Sequence, residues 1–272
     1  MIKVGLILDK YHLENKVSEF LKYLKRFTKI SIYLEESFLL DFSIKDFKED
    51  IFFVKGKGDL ILNLGKLIEH ETSIPIINSS KGIMLTSHRF LSGMLLAKAG
   101  IDIPDHAILP VGMPPPFEDY IIKNVIDQKN YAFNANIEKK EGHLKIIDER
   151  ALTEAFDGPE NYQFFYYQKF IKSKWEYKVY GIGDALYFYK QIPVLINPNK
   201  MKTRQEIPPI LELEEKVKLI QEILDLSITS VDFLKSKEGK FYVTDVNSTP
   251  NFNYISNGFE KVTNFLIEQA RK

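Results

Sequence analysis

The chain has 272 residues, with 37 lysines and arginines balanced by 37 aspartates and glutamates, and it contains no cysteine. The lack of cysteine excludes disulfides, thiolate metal sites and a cysteine nucleophile, and the zero net charge argues against a general nucleic-acid binder. No apolar run approaches the roughly 18 residues of a membrane span, and the first residues are typical of a strand rather than a signal peptide. We therefore expect a cytoplasmic protein without nucleic-acid or membrane partners, although glycosylation sequons occur at Asn78 and Asn247.

Residues 1–80 predict a small open α/β unit, because strand-length apolar runs alternate with a helical pattern. The predicted strands are residues 2–8, 30–34, 59–64 and 74–78, and the helix is marked by Val17, Phe20, Leu21 and Leu24. Ser87 is a suitable N-cap for a further helix, which we expect to end at Gly100.

The middle of the chain gives weaker signals. Residues 109–116 are rich in proline and indicate a linker or the start of a domain. A short strand is predicted over residues 120–123 and ends in Lys123. Residues 124–150 are polar and weakly periodic, so the sequence does not predict the structure of residues 124–160.

The C-terminal part gives the clearest pattern. An aromatic strand is predicted over residues 162–171. Two hairpins follow, the first formed by 175–182 and 185–191 around a two-residue turn, and the second by 229–235 and 240–246. Amphipathic helices are predicted over residues 212–224 and along the apolar positions Phe259, Val262, Phe265 and Leu266.

The second hairpin carries residues that suggest a chemical site. Asp245 and Asn247 are two apart in one strand and therefore point to the same face. If the loop of this hairpin pairs Lys235 with Lys240, Asp232 lies opposite Val243 and becomes a diagonal neighbour of Asp245. Two carboxylates and an amide oxygen suit Mg²⁺. The alternative is two solvated aspartates, but buried carboxylates need a compensating cation. The predicted face also carries Leu234, Phe241 and Val243.

Two lysines are candidates for contacts with phosphate groups. Lys123 ends a strand, and Lys178 lies inside an aromatic and β-branched strand, where an unpaired ammonium is rarely buried. The other interpretation is that Lys178 snorkels or pairs with Glu176. A basic stretch follows that contains Lys200, Lys202 and Arg204.

In their order along the chain, these motifs resemble the ATP-grasp superfamily. The matching segments are Lys123, Tyr-Gln-Lys-Phe-Ile at 167–171, Glu-Tyr-Lys-Val-Tyr-Gly-Ile-Gly-Asp at 176–184, Val-Asp-Phe at 231–233 and Thr-Asp-Val-Asn-Ser-Thr-Pro at 244–250. The resemblance covers nearly the whole chain and implies a mixed α/β fold. The implied fold has three domains: an N-terminal open α/β domain over residues 1–82, a small central domain over 83–165 and a C-terminal antiparallel-sheet domain over 166–272.

Two branches of the superfamily share these motifs. Inositol polyphosphate kinases of the inositol trisphosphate kinase type have motifs similar to residues 168–170, 177–180 and 183–184 of this chain. They also have an Asp-x-Asn motif, which this chain has at 245–247. Ligases similar to the ribosomal-protein glutamate ligases usually have Asp-x-Arg where this chain has Glu176 to Lys178, and Glu-x-Asn instead of Asp-x-Asn. The Ser-Thr-Pro that follows Asn247 is more similar to the ligases.

The resemblance implies binding of ATP and Mg²⁺. Asp232, Asp245 and Asn247 are the implied metal ligands, and Lys178 and Asp245 the implied catalytic residues. The implied ATP-binding residues, besides Asp232, are Arg89, Lys123, Gln168, Lys169, Phe170, Ile171 and Lys178. The implied cations for a phosphorylated acceptor are Lys10, Lys66, Lys200, Lys202 and Arg204.

The resemblance favours phosphorylation of a hydroxyl on an inositol polyphosphate or a similar phosphorylated small molecule, by a monomer or homodimer. The first alternative is a carboxylate–amine ligase that acts through an acyl phosphate, and the second is a non-catalytic nucleotide-binding protein. A ligase needs an arginine beside the carboxylate, and this chain has arginines only at 26, 89, 150, 204 and 271. The departures from the kinases concern the acceptor: no Ser-His pair within 128–136, Gln191-Ile-Pro in place of Arg-Pro-Ser, and Asn251 in place of glycine.

Overall fold

The computed structural model describes residues 1–37, 46–110, 113–127, 135–140, 143–148, 164–193 and 199–272. The side chains of residues 135–140, 143–148 and 200 lie outside the description. Within these ranges, no helix is both long and apolar enough to cross a membrane.

A parallel sheet is formed by the N-terminal part of the chain. Its strands are arranged in the order β2-β1-β3-β4, and they are β1 (Lys3–Leu8), β2 (Lys29–Leu34), β3 (Ile51–Val54) and β4 (Ile76–Ile77). The helices of this part are α1 (Lys10–Asn15), α2 (Ser18–Leu24), α3 (Asp59–Glu71) and α4 (Ser80–Ser87). Parallel strands linked by helices match the predicted open α/β unit.

A second sheet, of order β5-β9-β6-β8-β7, follows helix α5 (Arg89–Lys98). Only β6 and β8 run parallel; the other neighbours are antiparallel. The strands are β5 (His106–Pro110), β6 (Tyr120–Asn124), β7 (Ala135–Lys140), β8 (His143–Asp148) and β9 (Phe164–Lys169). Residues 111–112 of the proline-rich stretch, and 128–134, 141–142 and 149–163 of the weakly periodic region, lie outside the described residues.

The C-terminal part forms an antiparallel sheet of order β12-β11-β10-β13-β14. Its strands are β10 (Glu176–Ile182), β11 (Ala185–Gln191), β12 (Gln205–Glu206), β13 (Ile228–Lys235) and β14 (Phe241–Asn247). The helices are α6 (Leu211–Ile223) and α7 (Gly258–Gln269). Both predicted hairpins are present, and Gly183 takes the left-handed φ of 55° that its tight turn requires. The three sheets and their helices confirm the predicted α/β fold class.

The N-terminal and C-terminal sheets share one hydrophobic core. Phe20 of α2 makes an edge contact with Phe252, with ring centroids 5.8 Å apart, and strand residues of both sheets belong to the same buried cluster. The buried Asn78 donates to the carbonyl oxygens of Ile228 and Ser248, at 2.6 and 2.7 Å. Asn78 therefore joins the two sheets, and its burial excludes it as a glycosylation acceptor.

The predicted strand at 59–64 is wrong, because these residues form the first half of α3. Ile61, Leu64 and Ile68 are the buried apolar residues of this helix, and their spacing is that of a helical face rather than of a strand. The sequence also failed to predict β3, whose four residues, Ile51–Val54, are buried on both faces and give no alternating pattern.

The helix predicted after Ser87 is present as α5, but its N-cap position is His88 rather than Ser87, and a further helix that was not predicted, α4, precedes it. Ser79 caps α4 by accepting a hydrogen bond from the backbone nitrogen of Gly82 at 2.9 Å. Ser87 is the last residue of α4, and its hydroxyl donates to the carbonyl of Ile83. The predicted domain boundaries fall inside α4 and β9, and the division of the chain at these points stays a prediction.

Candidate functional site

Hairpin β13–β14 places two carboxylates directly opposite each other. Asp232 and Asp245 are paired across the strands, whereas Val243 pairs with Phe233. The predicted diagonal arrangement is therefore wrong. There are two reasons: the loop pairs Lys235 with Phe241 rather than with Lys240, and a β-bulge leaves Thr244 without a paired position on β13. Direct opposition brings the two carboxylates closer than the diagonal would.

The bulge also separates the carboxylates from part of the predicted apolar face. Phe241 and Val243 belong to the cluster buried beneath α6, so they lie on the other face of the sheet, contrary to the prediction. Leu234 remains two residues from Asp232 on the carboxylate face. That face is turned toward the N-terminal sheet, because Tyr180 of β10 belongs to the core that the two sheets share.

Lys178 pairs with Asp232 rather than with Glu176. Its Nζ lies 2.5 Å from Oδ1 of Asp232, and the two side chains are 15% and 16% exposed. Burial lowers the pKa of Lys178, but the charge of Asp232, together with Tyr180, Glu176 and the hydrogen bond to Asp232, outweighs this effect, so that its pKa is raised. The carboxylate of Glu176 accepts a hydrogen bond from Gln191. Lys178 is therefore held charged beside one of the two opposed carboxylates.

Asn247 lies opposite Ser230 at the end of β14. Its Oδ1 accepts hydrogen bonds from the backbone nitrogen of Thr249, at 2.8 Å, and from the Thr249 hydroxyl, at 3.3 Å. The amide oxygen is thus directed by the Ser-Thr-Pro turn that follows the strand. Together with Asp232 and Asp245, it completes a set of hard oxygen donors on one face.

Lys123 and Gln168 connect the second sheet to the third. The Nζ of Lys123 donates to Oε1 of Gln168 at 2.9 Å and to the carbonyl of Thr244, the bulge residue, at 3.1 Å. Gln168 is buried, as is the neighbouring Tyr166. Burial raises the pKa of Tyr166, and the charge of Asp245 acts in the same direction. Lys123 therefore reaches the hairpin that carries the carboxylates, and its contact with ATP phosphates stays a prediction.

Arg89 binds the segment that follows β6. Its Nη2 lies 3.0 Å from Asp127, and its Nη1 donates to the carbonyl of Asn124 at 2.8 Å. The side chain is 11% exposed. Arg89 also lines a small cavity with Tyr166, Gln168 and Asp245, so it lies near the predicted nucleotide-binding residues, and its contact with ATP stays a prediction.

The end of β9 lies at the rim of the second sheet. The exposed Lys169 pairs with Asp105 at 2.9 Å, and its backbone nitrogen donates to the carbonyl of the same residue. The backbone nitrogen of Phe170 donates to the carbonyl of Asp119. Ile171 follows in the connection to β10. Their predicted role as an adenine-binding segment stays a prediction.

Arg204 occupies a cage of three tyrosines on the carboxylate side of the sheet. Its guanidinium carbon lies 4.3 Å from the ring centroid of Tyr189, 5.2 Å from Tyr180 and 5.5 Å from Tyr254. The Nε and Nη2 atoms are buried and have no hydrogen-bond partner among the described residues. Lys178 also lies 5.7 Å from the Tyr180 ring. The remaining nitrogen, Nη1, donates to Oε1 of Gln191 at 3.5 Å, so Arg204 retains two donors without a partner among the described residues and shares the Tyr180 ring with Lys178.

Among the described side chains, the other residues predicted as cations for the acceptor are not seen to contact the tyrosine cage that holds Arg204. Lys10 begins α1 and pairs with Glu14 at 3.9 Å, with its side chain 64% exposed. Lys66 lies on the exposed face of α3, and Lys202 is exposed in a short 3₁₀ helix. The side chain of Lys200 lies outside the described residues. Of this predicted set, Arg204 contacts Tyr180, the ring that Lys178 also contacts, and the role of all five residues at an acceptor stays a prediction.

Sequence reasoning missed a buried basic group at the end of β3. Lys55 and Lys57 are 2% and 1% exposed, and the buried His12 lies close enough for their charges to lower its pKa, in the same direction as burial. The signal was the spacing of two lysines and two glycines directly after an apolar run. Because that apolar run was not predicted as a strand, the sequence did not predict where these lysines lie.

The structure resembles solved ATP-grasp proteins along its whole length. The D-alanine–D-alanine ligase from Bacillus anthracis complexed with ATP gives a TM-score of 0.70 at 16% identity, covering 100% of this chain and 98% of that one. The RimK domain protein ATP-grasp from Sphaerobacter thermophilus gives 0.65 at 14% identity, covering 97% and 99%.

A third similar structure contains a peptide. The Chryseobacterium gregarium RiPP-associated ATP-grasp ligase, in complex with ADP and a leader and core peptide, gives a TM-score of 0.65 at 10% identity, covering 99% and 97%. Neither a protein-family model nor a curated protein matches the sequence. At these identities the likeness establishes the fold, and the chain has the ATP-grasp fold.

Proposed function

We propose that this chain is an Mg-ATP-dependent ligase that joins a carboxylate to an amine. The observation that carries this proposal is the position of Arg204. Its guanidinium has two nitrogens without a hydrogen-bond partner among the described residues and contacts the ring of Tyr180, which Lys178 also contacts, on the side of the sheet that presents Asp232 and Asp245. Guanidinium groups bind carboxylates in a bidentate manner, so this arginine supplies what a ligase site requires.

The similar structures support a ligase more than a kinase. Those described above include a D-alanine–D-alanine ligase solved with ATP and a RiPP-associated ligase solved with ADP and a peptide. A further one, the ligase PsnB, was solved with a minimal precursor, Mg and ADP, and gives a TM-score of 0.65 at 12% identity, covering 99% of this chain and 98% of that one.

The residues present fit a magnesium site. Asp232 and Asp245 face each other across the hairpin, and Asn247 lies on the same face, so that hard oxygen donors converge. When bound, Mg²⁺ neutralises negative charge on the phosphates. Lys178 and Lys123 add positive charge from two different sheets, which suits a nucleotide bound between them.

In the proposed reaction, an oxygen of the acceptor carboxylate attacks the γ-phosphorus of ATP. A new phosphorus–oxygen bond forms while the bond to ADP breaks, and the product is an acyl phosphate. The amine nitrogen then attacks the carbonyl carbon, loses a proton and expels inorganic phosphate. Arg204 orients the carboxylate, and Lys178 stabilises charge on the transferring phosphoryl group.

Phosphorylation of a hydroxyl is the second candidate. It is favoured by a lysine at position 178 and by an aspartate at position 245, where similar ligases usually have arginine and glutamate. The small number of arginines in the sequence also favours a kinase over a ligase. The placement of Arg204 weakens that argument, because a ligase site needs only one suitably placed arginine.

The test is an ADP-release assay with purified full-length protein, Mg²⁺ and ATP. One arm supplies free amino acids or acidic peptides together with amines, and the other supplies inositol phosphates. We expect ADP release to require a carboxylate acceptor, and amide formation to require the amine as well. Release stimulated by inositol phosphates alone, with phosphate transferred to the hydroxyl, would establish the kinase instead.

A further inference from the structure

Lys55 lies at the end of β3 and is fully enclosed between the N-terminal and C-terminal sheets. Its Nζ donates to the carbonyls of Thr249 and Pro250, at 3.0 and 2.6 Å. The ammonium also lies 4.6 Å from the ring centroid of Phe252. Among the described residues, no carboxylate forms an ion pair with Lys55. This lysine is thus a buried cation whose hydrogen bonds go to backbone carbonyls.

These carbonyls belong to the turn that directs Asn247. Asn78, also from the N-terminal part, donates to the carbonyl of Ser248. Three consecutive carbonyls, at 248, 249 and 250, therefore accept hydrogen bonds from buried side chains of the N-terminal unit. The backbone nitrogen of Thr249 in turn donates to Oδ1 of Asn247. Movement of the turn would consequently move the amide oxygen.

Lys57, two residues further on, reaches the opposite wall of the proposed nucleotide site. Its fully buried Nζ lies 2.8 Å from Asp127, and the same carboxylate lies 3.0 Å from Arg89. Asp127 follows Lys123 by four residues, and its backbone nitrogen donates to the carbonyl of Ser87 at 2.8 Å. Lys57 thus holds the segment that extends from the phosphate-binding strand.

Burying these ammonium groups is unfavourable for folding. An apolar side chain at position 55 would avoid the desolvation penalty of a charge that has only carbonyl partners. Burial, followed by the charges of Lys57 and Lys16, lowers the pKa of Lys55 to about 7. A costly residue whose hydrogen bonds all fix one turn points to a role in that turn's geometry.

We propose that Lys55 and Lys57 are positioning residues of the Mg-ATP site: Lys55 sets the turn that directs Asn247, and Lys57 sets the segment after Lys123. The inference rests on the proposed function, because it concerns the same nucleotide site. It adds that the end of β3 controls both walls of that site through two lysines that touch neither metal nor nucleotide.

The two lysines predict different binding defects. Calorimetric titration of the full-length protein with ATP, at several fixed Mg²⁺ concentrations, compares Lys55→Met, Lys57→Met and the wild type. We expect Lys55→Met to raise the Mg²⁺ concentration needed for half-maximal binding about tenfold, with near-normal binding at saturating Mg²⁺. We expect Lys57→Met to weaken ATP binding about tenfold at every Mg²⁺ concentration.

Lys3→Met is the matched control, because Lys3 lies on the same sheet but pairs at 3.9 Å with Glu49 at a partly exposed position. Lys57→Arg should restore binding, since it keeps the ion pair with Asp127. Asp127→Asn should reproduce the Lys57→Met defect, and Lys55→Arg should keep a milder magnesium defect. The variants Asp127→Asn and Lys55→Arg provide the test if Lys57→Met or Lys55→Met fails to fold.

A purely structural role gives a different result. The variants would then unfold more easily in denaturant, while their folded fraction would bind Mg-ATP within twofold of the Lys3→Met control, and the inference would be wrong. A wild type that binds no ATP at any Mg²⁺ concentration would overturn the proposed function and this inference together. Wild-type binding with unaltered variants would overturn the inference alone.

Discussion

Lys178 and Lys55 are two lysines largely removed from water, and their environments move their pKa values in opposite directions. Burial lowers the pKa of Lys178, but its carboxylate partner Asp232, together with Tyr180 and Glu176, outweighs burial and raises that pKa. Lys55 has carbonyl partners instead, and burial, together with nearby lysines, lowers its pKa to about 7. Lys55 is 2% exposed and the side chain of Lys178 is 15% exposed, but of the two only Lys178 forms an ion pair among the described residues.

The comparison separates two uses of a buried cation. A paired lysine such as Lys178 keeps its charge near neutral pH, which suits contact with the phosphates of a nucleotide. A lysine such as Lys55, whose hydrogen bonds go to the backbone, holds a loop in place at a cost in stability. Substitutions at these sites and at the residues around them test this difference.

Asp245→Asn should abolish most ATP turnover. The substitution keeps the shape of the side chain but removes one of the two opposed charges, and we expect a loss of about a thousandfold in the rate of ADP release. Asp184→Asn, in the exposed hairpin turn, is the control and should act like the wild type. Unchanged Mg-ATP binding and turnover in Asp245→Asn would show the metal assignment to be wrong.

Asp232→Asn should destabilise the protein, because Lys178 would lose its countercharge in a largely buried position. We expect a loss of about 3 kcal/mol in the free energy of unfolding, measured by denaturant titration. The double variant Asp232→Leu with Lys178→Met should recover most of this stability while remaining inactive. If the single variant were as stable as the wild type, the ion pair would not matter for folding.

Arg204→Met should lower the turnover number about thirtyfold, or roughly 2 kcal/mol, with little change in the KM for ATP. The reason is that the proposed guanidinium contact is with the acceptor rather than with the nucleotide. Arg204→Lys should recover only part of the activity, because lysine lacks the bidentate donor pair. Arg271→Met, at the exposed C-terminal end, is the control. An increase in the KM for ATP alone would place Arg204 at the nucleotide instead.

The pH dependence of stability should reveal Lys55. Its folded pKa, about 7, lies below the ordinary value near 10.4, so the unfolded chain binds more protons between these values. Stability should therefore rise with pH above about 7, on the order of 1 kcal/mol per pH unit, and should be level below it.

The comparison with Lys55→Met isolates this effect from the other groups that face Lys55, namely Asp9, His12, Lys16 and Lys57. The difference in stability between wild type and variant should grow in favour of the wild type as the pH rises from 7 to 9. Denaturant titrations at a series of pH values measure it. A difference that stays constant with pH would mean that Lys55 titrates normally.

In the C-terminal part, features that depend on local sequence patterns were predicted correctly, whereas features that depend on how distant segments pack were not. Both C-terminal hairpins were predicted, because their turn residues and strand patterns are local. The bulge at Thr244 was not, since a register shift depends on how two strands pack. Together with the pairing of Lys235 with Phe241 instead of Lys240, it changed the relation of Asp232 to Asp245 from diagonal to direct.

The N-terminal part was harder to predict for a related reason. Strand β3 is short and buried on both faces, so it lacks the alternating pattern of a half-buried strand. Without that strand, Lys55 and Lys57 had no predicted position. Arg204 was predicted only as one of several cations in a basic loop, and its tyrosine cage comes from residues far apart in the chain.

The central claim is that a carboxylate is activated by phosphorylation, and an oxygen-transfer experiment tests it directly. The acceptor identified in the ADP-release screen is labelled with ¹⁸O in its carboxylate and incubated with enzyme, Mg-ATP and amine. The proposed reaction predicts that each phosphate released carries one ¹⁸O atom from the carboxylate, as measured by mass spectrometry. Released phosphate without ¹⁸O, or phosphate retained on a hydroxyl acceptor, would contradict the claim.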